Sequence, residues 1–127
     1  MKEKYKALKG TIIKHKDGRV LFASYKTNIV EVLHDALCDG INLRGADLRG
    51  VNLEKADFEG GIFTDVDFRG ANLSLTFFHN AVLSGADLRG ANLKHTFLST
   101  ADTYEIKITN KEKEMIIEAL NWEIVTR

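Results

Sequence analysis

Three pairs of oppositely charged residues recur at a fixed spacing of twenty residues in the middle of the sequence. The aspartates are Asp47, Asp67 and Asp87, and two positions after each comes an arginine, Arg49, Arg69 or Arg89. Stacked guanidinium groups could bind a carboxylate-rich or phosphate-bearing partner, because each one presents a planar fork of hydrogen-bond donors. The alternative is a solvated face on which the aspartates offset the repulsion between neighbouring arginines.

The other residues that could support chemistry form no catalytic or metal-binding pattern. The sequence has no P-loop, no G-x-G-x-x-G motif after a strand, no H-E-x-x-H and no cysteine–histidine metal spacing. Its four histidines are scattered, and Cys38 as a nucleophile would need a partner base and an activating environment. We therefore expect a buried structural thiol at Cys38, no cofactor, no metal and no enzymatic activity.

The elements that must position the charged pairs follow a five-residue period over 41–100. The middle position of all twelve units is leucine or phenylalanine: Leu43, Leu48, Leu53, Phe58, Phe63, Phe68, Leu73, Phe78, Leu83, Leu88, Leu93 and Leu98. The residue two positions earlier is mostly small, alanine in six of the twelve units, and positions two apart on an extended segment face the same side. Glycine closes six of the units, where it permits a sharp corner. The pattern predicts a solenoid of short extended pieces with the middle residues inside.

The units A-D-L-R-G at 46–50 and 86–90 and A-N-L-K-H at 91–95 resemble the consensus of the pentapeptide-repeat family. The resemblance implies a right-handed quadrilateral β-helix with four units in each coil. Four units per coil predict a second period of twenty residues, and at that spacing each unit resembles its counterparts more than its neighbours. We therefore expect an all-β solenoid core of about three coils, as in small bacterial or phage proteins of this family.

Four units depart from this consensus at the position before the middle residue, where aspartate or asparagine is expected. The residues there are Ile62, Phe77, Val82 and Phe97. On a four-sided coil the two aliphatic residues share one side and the two phenylalanines share the next, so that all four form an apolar strip outside the solenoid. Such a strip is rarely left bare on a soluble monomer. It is either covered by the chain's own hairpin or C-terminal helix, or it is a protein or dimer interface with the phenylalanines as anchors.

The N-terminal flank, 1–40, is predicted to form a hairpin and a helix that cover one end of the solenoid. Asp17 and Gly18 are a strong signal for the hairpin turn. Asn28 can cap a helix of about ten residues, with Glu31 completing a capping box. The hairpin and helix would serve as the cap that an exposed solenoid end requires.

The C-terminal flank, 101–127, is predicted to form one short strand and a second capping helix. The strand is indicated by alternating residues, Tyr104, Ile106 and Ile108. Thr109 and Glu112 form a second capping box before a helix over about 110–122. The apolar face of that helix consists of Met115, Ile116, Ala119 and Leu120. Both flanks and the repeats over 41–100 are expected to form one compact domain.

Charge is balanced over the whole chain but unevenly distributed along it. The sequence has 18 basic and 18 acidic residues. Residues 1–26 hold eight basic groups against two acidic ones, whereas 41–100 carry six basic and seven acidic groups. The resemblance suggests, as one alternative, a DNA mimic acting on gyrase, a type II topoisomerase. A nearly neutral rod of roughly 15 Å, the length of about three coils at strand spacing, makes that alternative the weaker one.

The favoured interpretation is a non-catalytic protein-interaction module, a bacterial or phage-encoded inhibitor or modulator of a larger protein complex. The apolar strip leaves a homodimer open as well. Nucleic-acid binding through the basic N-terminal hairpin is a second alternative, weakened by the lack of interleaved aromatic residues. A single cysteine fits a reducing cytoplasm, and no apolar run approaches the roughly 18 residues of a membrane span. We expect a cytoplasmic protein without a membrane partner.

Overall fold

The computed structural model describes residues 9–126 of the chain. Its regular elements, in chain order, are strands β1 (Thr11–Lys14) and β2 (Val20–Ser24) and helices α1 (Ile29–Cys38) and α2 (Asn110–Thr126). Between the two helices the chain consists of short extended pieces separated by corners. The basic residues that precede Lys9 lie outside the described residues.

Strands β1 and β2 pair antiparallel and form the hairpin that the sequence predicts. Gly18 lies at the tip with φ of 95°, a backbone conformation that glycine adopts without a steric penalty. The hairpin also joins the first repeat units. His15 forms a bridge with Ala46, and the N–H of Asp47 donates to the C=O of Lys14 at 2.7 Å. The hairpin therefore pairs with the repeat region at its first units, the end nearer the N-terminus.

Helix α1 begins after Asn28, as predicted. The Oδ1 of Asn28 accepts hydrogen bonds from the N–H groups of Val30 at 2.9 Å and Glu31 at 3.3 Å, which satisfies donors that have no partner within the helix. The face of the helix that packs against the repeat core is fully buried at Val32, Leu33 and Ala36. Helix α1 thus contributes its apolar side to the same core as the repeats.

Cys38 is the last residue of α1, and its side chain is exposed. The prediction of a buried structural thiol is therefore wrong. The physical reason lies in the next residues, because Gly40 adopts φ of 69° and the N–H of Ile41 bonds back to the C=O of Ala36 at 2.9 Å. The chain turns there, so Cys38 ends a helix instead of occupying an inward-facing repeat position.

Parallel β-bridges join residues twenty positions apart along four ladders. The ladders are Asp47–Asp67–Asp87–Lys107, Asn52–Asn72–Asn92, Asp57–Phe77–Phe97 and Ile62–Val82–Asp102. In a representative rung, the N–H of Leu53 donates to the C=O of Asn72 at 2.8 Å, and the N–H of Asn72 donates to the C=O of Val51 at 2.9 Å. These bridges have the twenty-residue spacing that the sequence predicts.

The twelve middle residues of the repeat units are all buried, and none is more than 4% exposed. Four of them form an aromatic cluster whose contacting ring centroids lie 5.2–6.2 Å apart: Phe58, Phe63, Phe68 and Phe78. Edge-to-face and offset contacts at such distances stabilise aromatic pairs beyond their buried area. The prediction that the middle residues form the core is confirmed.

Gly61 occupies a position where six of the twelve repeat units have alanine. A Cβ atom at Gly61 would lie 2.6 Å from Cε2 of Phe63, 3.1 Å from the C=O of Phe58 and 3.3 Å from Cδ1 of Leu37. We expect Gly61→Ala, although it restores the consensus, to lower the free energy of unfolding by about 1–3 kcal/mol through overpacking. Urea denaturation followed by circular dichroism measures this loss. In a Phe63→Leu background the loss caused by Gly61→Ala should be much smaller, and an equal loss in both backgrounds would contradict the steric explanation.

The chain after residue 100 does not form the single strand predicted over 104–108. Asp102 and Lys107 instead continue two of the ladders, with a turn at residues 104 and 105 between them. Thr103 occupies the middle position of this unit, where leucine or phenylalanine is expected. The five-residue pattern in the sequence therefore does not indicate that the ladders continue past residue 100. The bridged region therefore extends beyond the boundary predicted at residue 100.

Helix α2 packs against the end of the repeat region. Met115, Ile116 and Leu120 contact the repeat core, and Ala119 is fully buried. The helix runs to Thr126, somewhat beyond its predicted end. The apolar face predicted for this helix is thus the face that packs.

Two buried glutamates of α2 accept hydrogen bonds from the last repeat units. Glu112 accepts from the N–H of Gly90 at 3.0 Å and from the N–H of Thr109 at 2.7 Å, the second bond being that of the predicted capping box. Glu123 accepts from the N–H of Leu98 at 2.5 Å. In the preceding units the equivalent N–H groups donate to a ladder carbonyl nineteen residues later. The two carboxylates therefore stand where the next ladder carbonyls would lie.

Candidate functional site

The four residues of the predicted apolar strip lie on the outside of two consecutive ladders. Ile62 bridges Val82, and Phe77 bridges Phe97, as the twenty-residue period requires. Ile62 is 57% exposed and Phe77 is 37% exposed, whereas Val82 and Phe97 are half-buried. The structure thus brings the four side chains to one region of the surface.

The centre of the strip is a stack of aromatic rings. Phe77 and Phe97 are stacked with centroids 4.2 Å apart and planes inclined by 4°. Trp122 of α2 contacts Phe97 at a centroid distance of 5.0 Å, and His79 lies 5.9 Å from Phe77. Trp122 also lies 4.6 Å from the ring of His95. Aromatic anchors held in place by their neighbours lose little conformational freedom when they bind.

Helix α2 covers only one end of the strip. Trp122 contacts Phe97, but the predicted apolar face of the helix packs against the repeat core and not on the strip. Of the two alternatives, cover by the chain's own flanks is therefore seen at Phe97, whereas Ile62 and Phe77 remain exposed.

A groove of about 610 Å³ adjoins the exposed end of the strip. Ile62 lines it together with Leu37, Cys38, Ile41 and other residues of the first repeat units. The ladder is open at this point: among the residues that the structure describes, neither the N–H nor the C=O of Ile62 makes a hydrogen bond. An unpaired donor and acceptor beside an exposed aliphatic side chain form a short accessible β-edge.

The charged pairs form bidentate ion pairs along a third ladder, which we call the charged face. In each pair the arginine Nε and Nη2 donate to the carboxylate two positions earlier at distances of 2.6–3.1 Å. Each carboxylate also accepts from the backbone N–H of its arginine. Longer contacts join successive pairs, with Arg49 Nε 3.9 Å from Asp67 and Arg69 Nε 3.7 Å from Asp87. Every arginine is thus held in a fixed position by its aspartate.

Pairing with arginine keeps the aspartates of the charged face ionised. Hydrogen bonds from Arg49 lower the pKa of Asp47, and the adjacent arginine lowers the pKa of Asp87 in the same way. Burial is the largest influence on Asp67 and acts to raise its pKa, but the hydrogen bonds from Arg69 and the charge of Arg69 outweigh it and leave the pKa lowered. The face carries the alternating charges that the self-neutralising interpretation requires.

A second groove, which the sequence does not reveal, runs beside the charged face. It has a volume of about 620 Å³, and we call it the basic groove. Its charged lining residues are Lys16, Arg19, Arg44, Asp65 and Lys107. Arg44 and Asp65 form an ion pair at 2.9 Å. The hairpin tip and the continuing ladder bring together residues that are far apart in the sequence, so no local motif marks the groove.

The histidines and the cysteine do not combine into a metal site in the described part of the chain. Within residues 9–126, no group of three or more histidine, cysteine, aspartate and glutamate side chains is placed to hold a metal ion. His79 and His95, which the repeat frame places on neighbouring sides, instead contact aromatic rings, His79 that of Phe77 in the strip and His95 that of Trp122 in α2. The structure assigns them to packing around the strip.

The parallel ladders and the buried middle residues define a pentapeptide-repeat β-helix. The family described as pentapeptide repeats matches residues 32–65 and 62–99, in eight copies. The chain belongs to this family. No curated protein matches the sequence.

Several solved structures are similar to parts of the chain. A pentapeptide repeat protein from the cyanobacterium Cyanothece 51142 is 28% identical over 50% of this chain and 43% of its own, with a TM-score of 0.32. QnrB1, a plasmid-mediated fluoroquinolone resistance protein, is 19% identical over 59% of this chain and 40% of its own, with a TM-score of 0.30. A pentapeptide repeat protein from Nostoc Pcc 7120 is 19% identical over 63% of this chain and 95% of its own, with a TM-score of 0.25. The chain spans less than half the length of the first two.

Neither helix in the described range combines the length and the apolar character needed to cross a membrane.

Proposed function

We propose that this protein is a non-catalytic protein-interaction module whose apolar strip binds a larger protein complex and inhibits or modulates it. The observation that carries the proposal is the stack of Phe77 and Phe97, which lies on the outside of a family fold that normally presents aspartate or asparagine there. Burying a side chain of this size against a partner stabilises the complex by roughly 1.5–3 kcal/mol. A bacterial or phage origin accords with the layout of hairpin, helix and repeats.

The open ladder at Ile62 supports a protein partner in particular. A partner in extended conformation could donate to the free C=O of Ile62 and accept from its N–H, while its side chains enter the groove beside Leu37. The strip would then combine aromatic contacts at one end with backbone pairing at the other. Both kinds of contact suit a protein surface, whereas the DNA-mimic alternative requires a strongly acidic surface.

The charge of the repeat region disfavours the two nucleic-acid alternatives. Six basic against seven acidic groups over 41–100 give a net charge of −1, far from the potential that a mimic of duplex DNA needs. Arginines also occupy one whole ladder face. Binding of DNA or RNA by the hairpin lacks support from its described part, where the aromatic residues are Phe22 and Tyr25 only.

For the fold, we propose a right-handed quadrilateral β-helix of about three coils with a cap at each end. The twenty-residue bridges and the two buried carboxylates of α2 support this arrangement. The hairpin and α1 would form the first cap, and α2 the second. Pairing of two strips in a homodimer is the remaining alternative to a foreign partner.

Phe77→Asp tests the proposed binding surface. We expect proteins captured from bacterial lysate by the immobilised wild type to be reduced by about tenfold or more with this variant, which corresponds to about 1.4 kcal/mol of lost affinity. Quantitative mass spectrometry of the captured proteins provides the measurement. Asn52→Asp is the matched control, because it adds the same charge at an exposed outward position on another ladder.

Equal recovery of the same proteins by wild type and Phe77→Asp would contradict the proposal. Sedimentation of the free protein distinguishes the homodimer. If the strip pairs with a second copy, the wild type sediments as a dimer and Phe77→Asp as a monomer.

A further inference from the structure

The basic groove concentrates positive charge in a chain whose total charge is zero. Four cationic side chains line it, Lys16, Arg19, Arg44 and Lys107, against the single carboxylate of Asp65. Arg44 is paired with Asp65, and Arg19 lies 3.4 Å from the carboxylate of Asp17. The excess charge of the groove therefore resides on the two lysines.

Lys16 and Lys107 have no ion-pair partner among the residues that the structure describes. They lie at opposite ends of the charged face. At the end that begins with Asp47, the N–H of Lys16 donates to the C=O of Gly45. At the opposite end Lys107 bridges Asp87 and occupies the ladder position that aspartate holds in the preceding coils. The lysines thus extend the row of arginines in both directions.

The arginines of the charged face keep donors available for a ligand. Each uses Nε and Nη2 to bind its aspartate, and within residues 9–126 none of the three donates a hydrogen bond from Nη1. Their side chains are 46–56% exposed. A small pocket of about 130 Å³ beside this row is lined by Lys16, Arg49 and Arg69 together with Asp47 and Asp67. Lys16 also lines the basic groove, so the two features adjoin and form one surface on which cations alternate with aspartates.

We infer that this surface binds an acidic segment of a protein, with its carboxylates on the lysines and on the outer edges of the arginines. This binding site is separate from the one in the proposed function, because it lies on the charged face and the basic groove and not on the apolar strip. Guanidinium groups at a spacing of about 4.8 Å along the ladder lie close to the 5–6 Å between acidic side chains on successive turns of a helix. Aspartates already fix the orientation of each arginine, so little rotamer entropy is lost on binding.

Carboxylates fit this surface better than a nucleic acid does. The residues that line the groove and the small pocket include no phenylalanine, tyrosine or tryptophan on which a base could stack. The surface thus lacks the stacking platform that nucleic acids use, whereas a carboxylate needs only the cationic donors.

The test measures binding of a fluorescein-labelled glutamate peptide of about twelve residues by fluorescence anisotropy at low ionic strength, where exposed charges are least screened. We expect the double variant Lys16→Glu, Lys107→Glu to weaken binding by about tenfold or more. Lys94→Glu controls for a single charge reversal away from this surface, since it reverses an exposed charge on the ladder of Asn92, and it should change binding by less than about twofold. Phe77→Asp should bind the peptide like the wild type even if it loses the partner of the apolar strip.

Several results would overturn the inference. They are equal binding of a glutamine peptide of the same length, an equal loss with Lys94→Glu, or tighter binding of single-stranded DNA of matched charge. A thermal melt shows whether the double variant folds. If it does not fold, Lys16→Ala with Lys107→Ala replaces it and should still weaken binding of the glutamate peptide by about fivefold, with unchanged binding counting against the inference.

Discussion

Phe68→Ala is expected to lower the free energy of unfolding by about 3–5 kcal/mol, the range typical of emptying a buried phenylalanine site. The side chain is 0% exposed, and its ring lies 5.7 Å from Phe63 and 6.2 Å from Phe78. Close-packed neighbours held on fixed ladders cannot collapse into the space that the ring leaves. Urea denaturation followed by circular dichroism measures the loss, which should appear as a lower midpoint with an unchanged slope.

Phe77→Ala serves as the control for this prediction. It removes the same atoms from an outward position that is 37% exposed, so its effect on stability should be less than half as large. A loss below about 1 kcal/mol for Phe68→Ala would show that the site is not a packed core position. Equal losses for the two variants would show that the five-residue frame does not separate inside from outside.

The second large effect is expected where α2 closes the ladders. Replacing both Glu112 and Glu123 with alanine should lower the free energy of unfolding by about 3–5 kcal/mol. The reason is that each backbone N–H group that loses its acceptor and stays buried costs about 1–3 kcal/mol. The groups concerned are the N–H donors of Gly90, Leu98 and Thr109. The double variant of the exposed residues Glu114 and Glu118 on the same helix is the control and should lose less than about 1 kcal/mol.

Acid should reveal the contribution of Glu112 separately. Hydrogen bonds from Thr109, followed by that from Gly90, hold the pKa of Glu112 below its ordinary value in the folded protein. Its stabilising contribution is therefore present above the unfolded pKa of about 4.3 and is lost as the pH falls through the lower folded pKa. The stability of the wild type should decrease more steeply below about pH 4.3 than that of Glu112→Ala, and parallel pH profiles of the two proteins would contradict this role.

The interior of the repeats could be predicted from sequence because one residue type repeats at one spacing. Middle residues such as Leu53 and Phe68 need only an extended backbone and a regular corner to face inward, and both are marked locally. The same frame placed Phe77 and Phe97 on one ladder. The five-residue pattern could not predict how far α2 covers that ladder. The contact between Trp122 and Phe97 depends on the direction in which α2 continues from the last repeat units, and no local pattern marks that direction.

The predictions failed where the repeat meets another element. Cys38 stands in register with the units that follow, but the helix that precedes it determines its conformation. Residues after 100 keep the ladder although Thr103 replaces the apolar middle residue, because backbone pairing with the previous units needs no particular side chain. Glu112 and Glu123 look like ordinary polar positions of a helix, and their role becomes evident only when the unpaired N–H groups of the last units are known.

The ladders also fix how this molecule can change in length. Residues whose numbers differ by a multiple of twenty occupy the same side of the solenoid. Residues 47, 67, 87 and 107, for example, share one side. Duplicating residues 61–80 or 81–100 would lengthen the apolar strip and the charged face together and leave each in line. Inserting a single five-residue unit between Phe77 and Phe97 would instead shift every later residue by one side and separate the two phenylalanines. Insertions of whole multiples of twenty residues keep the apolar strip and the charged face each on its own side, whereas insertions of five, ten or fifteen residues move the later part of each surface to a different side.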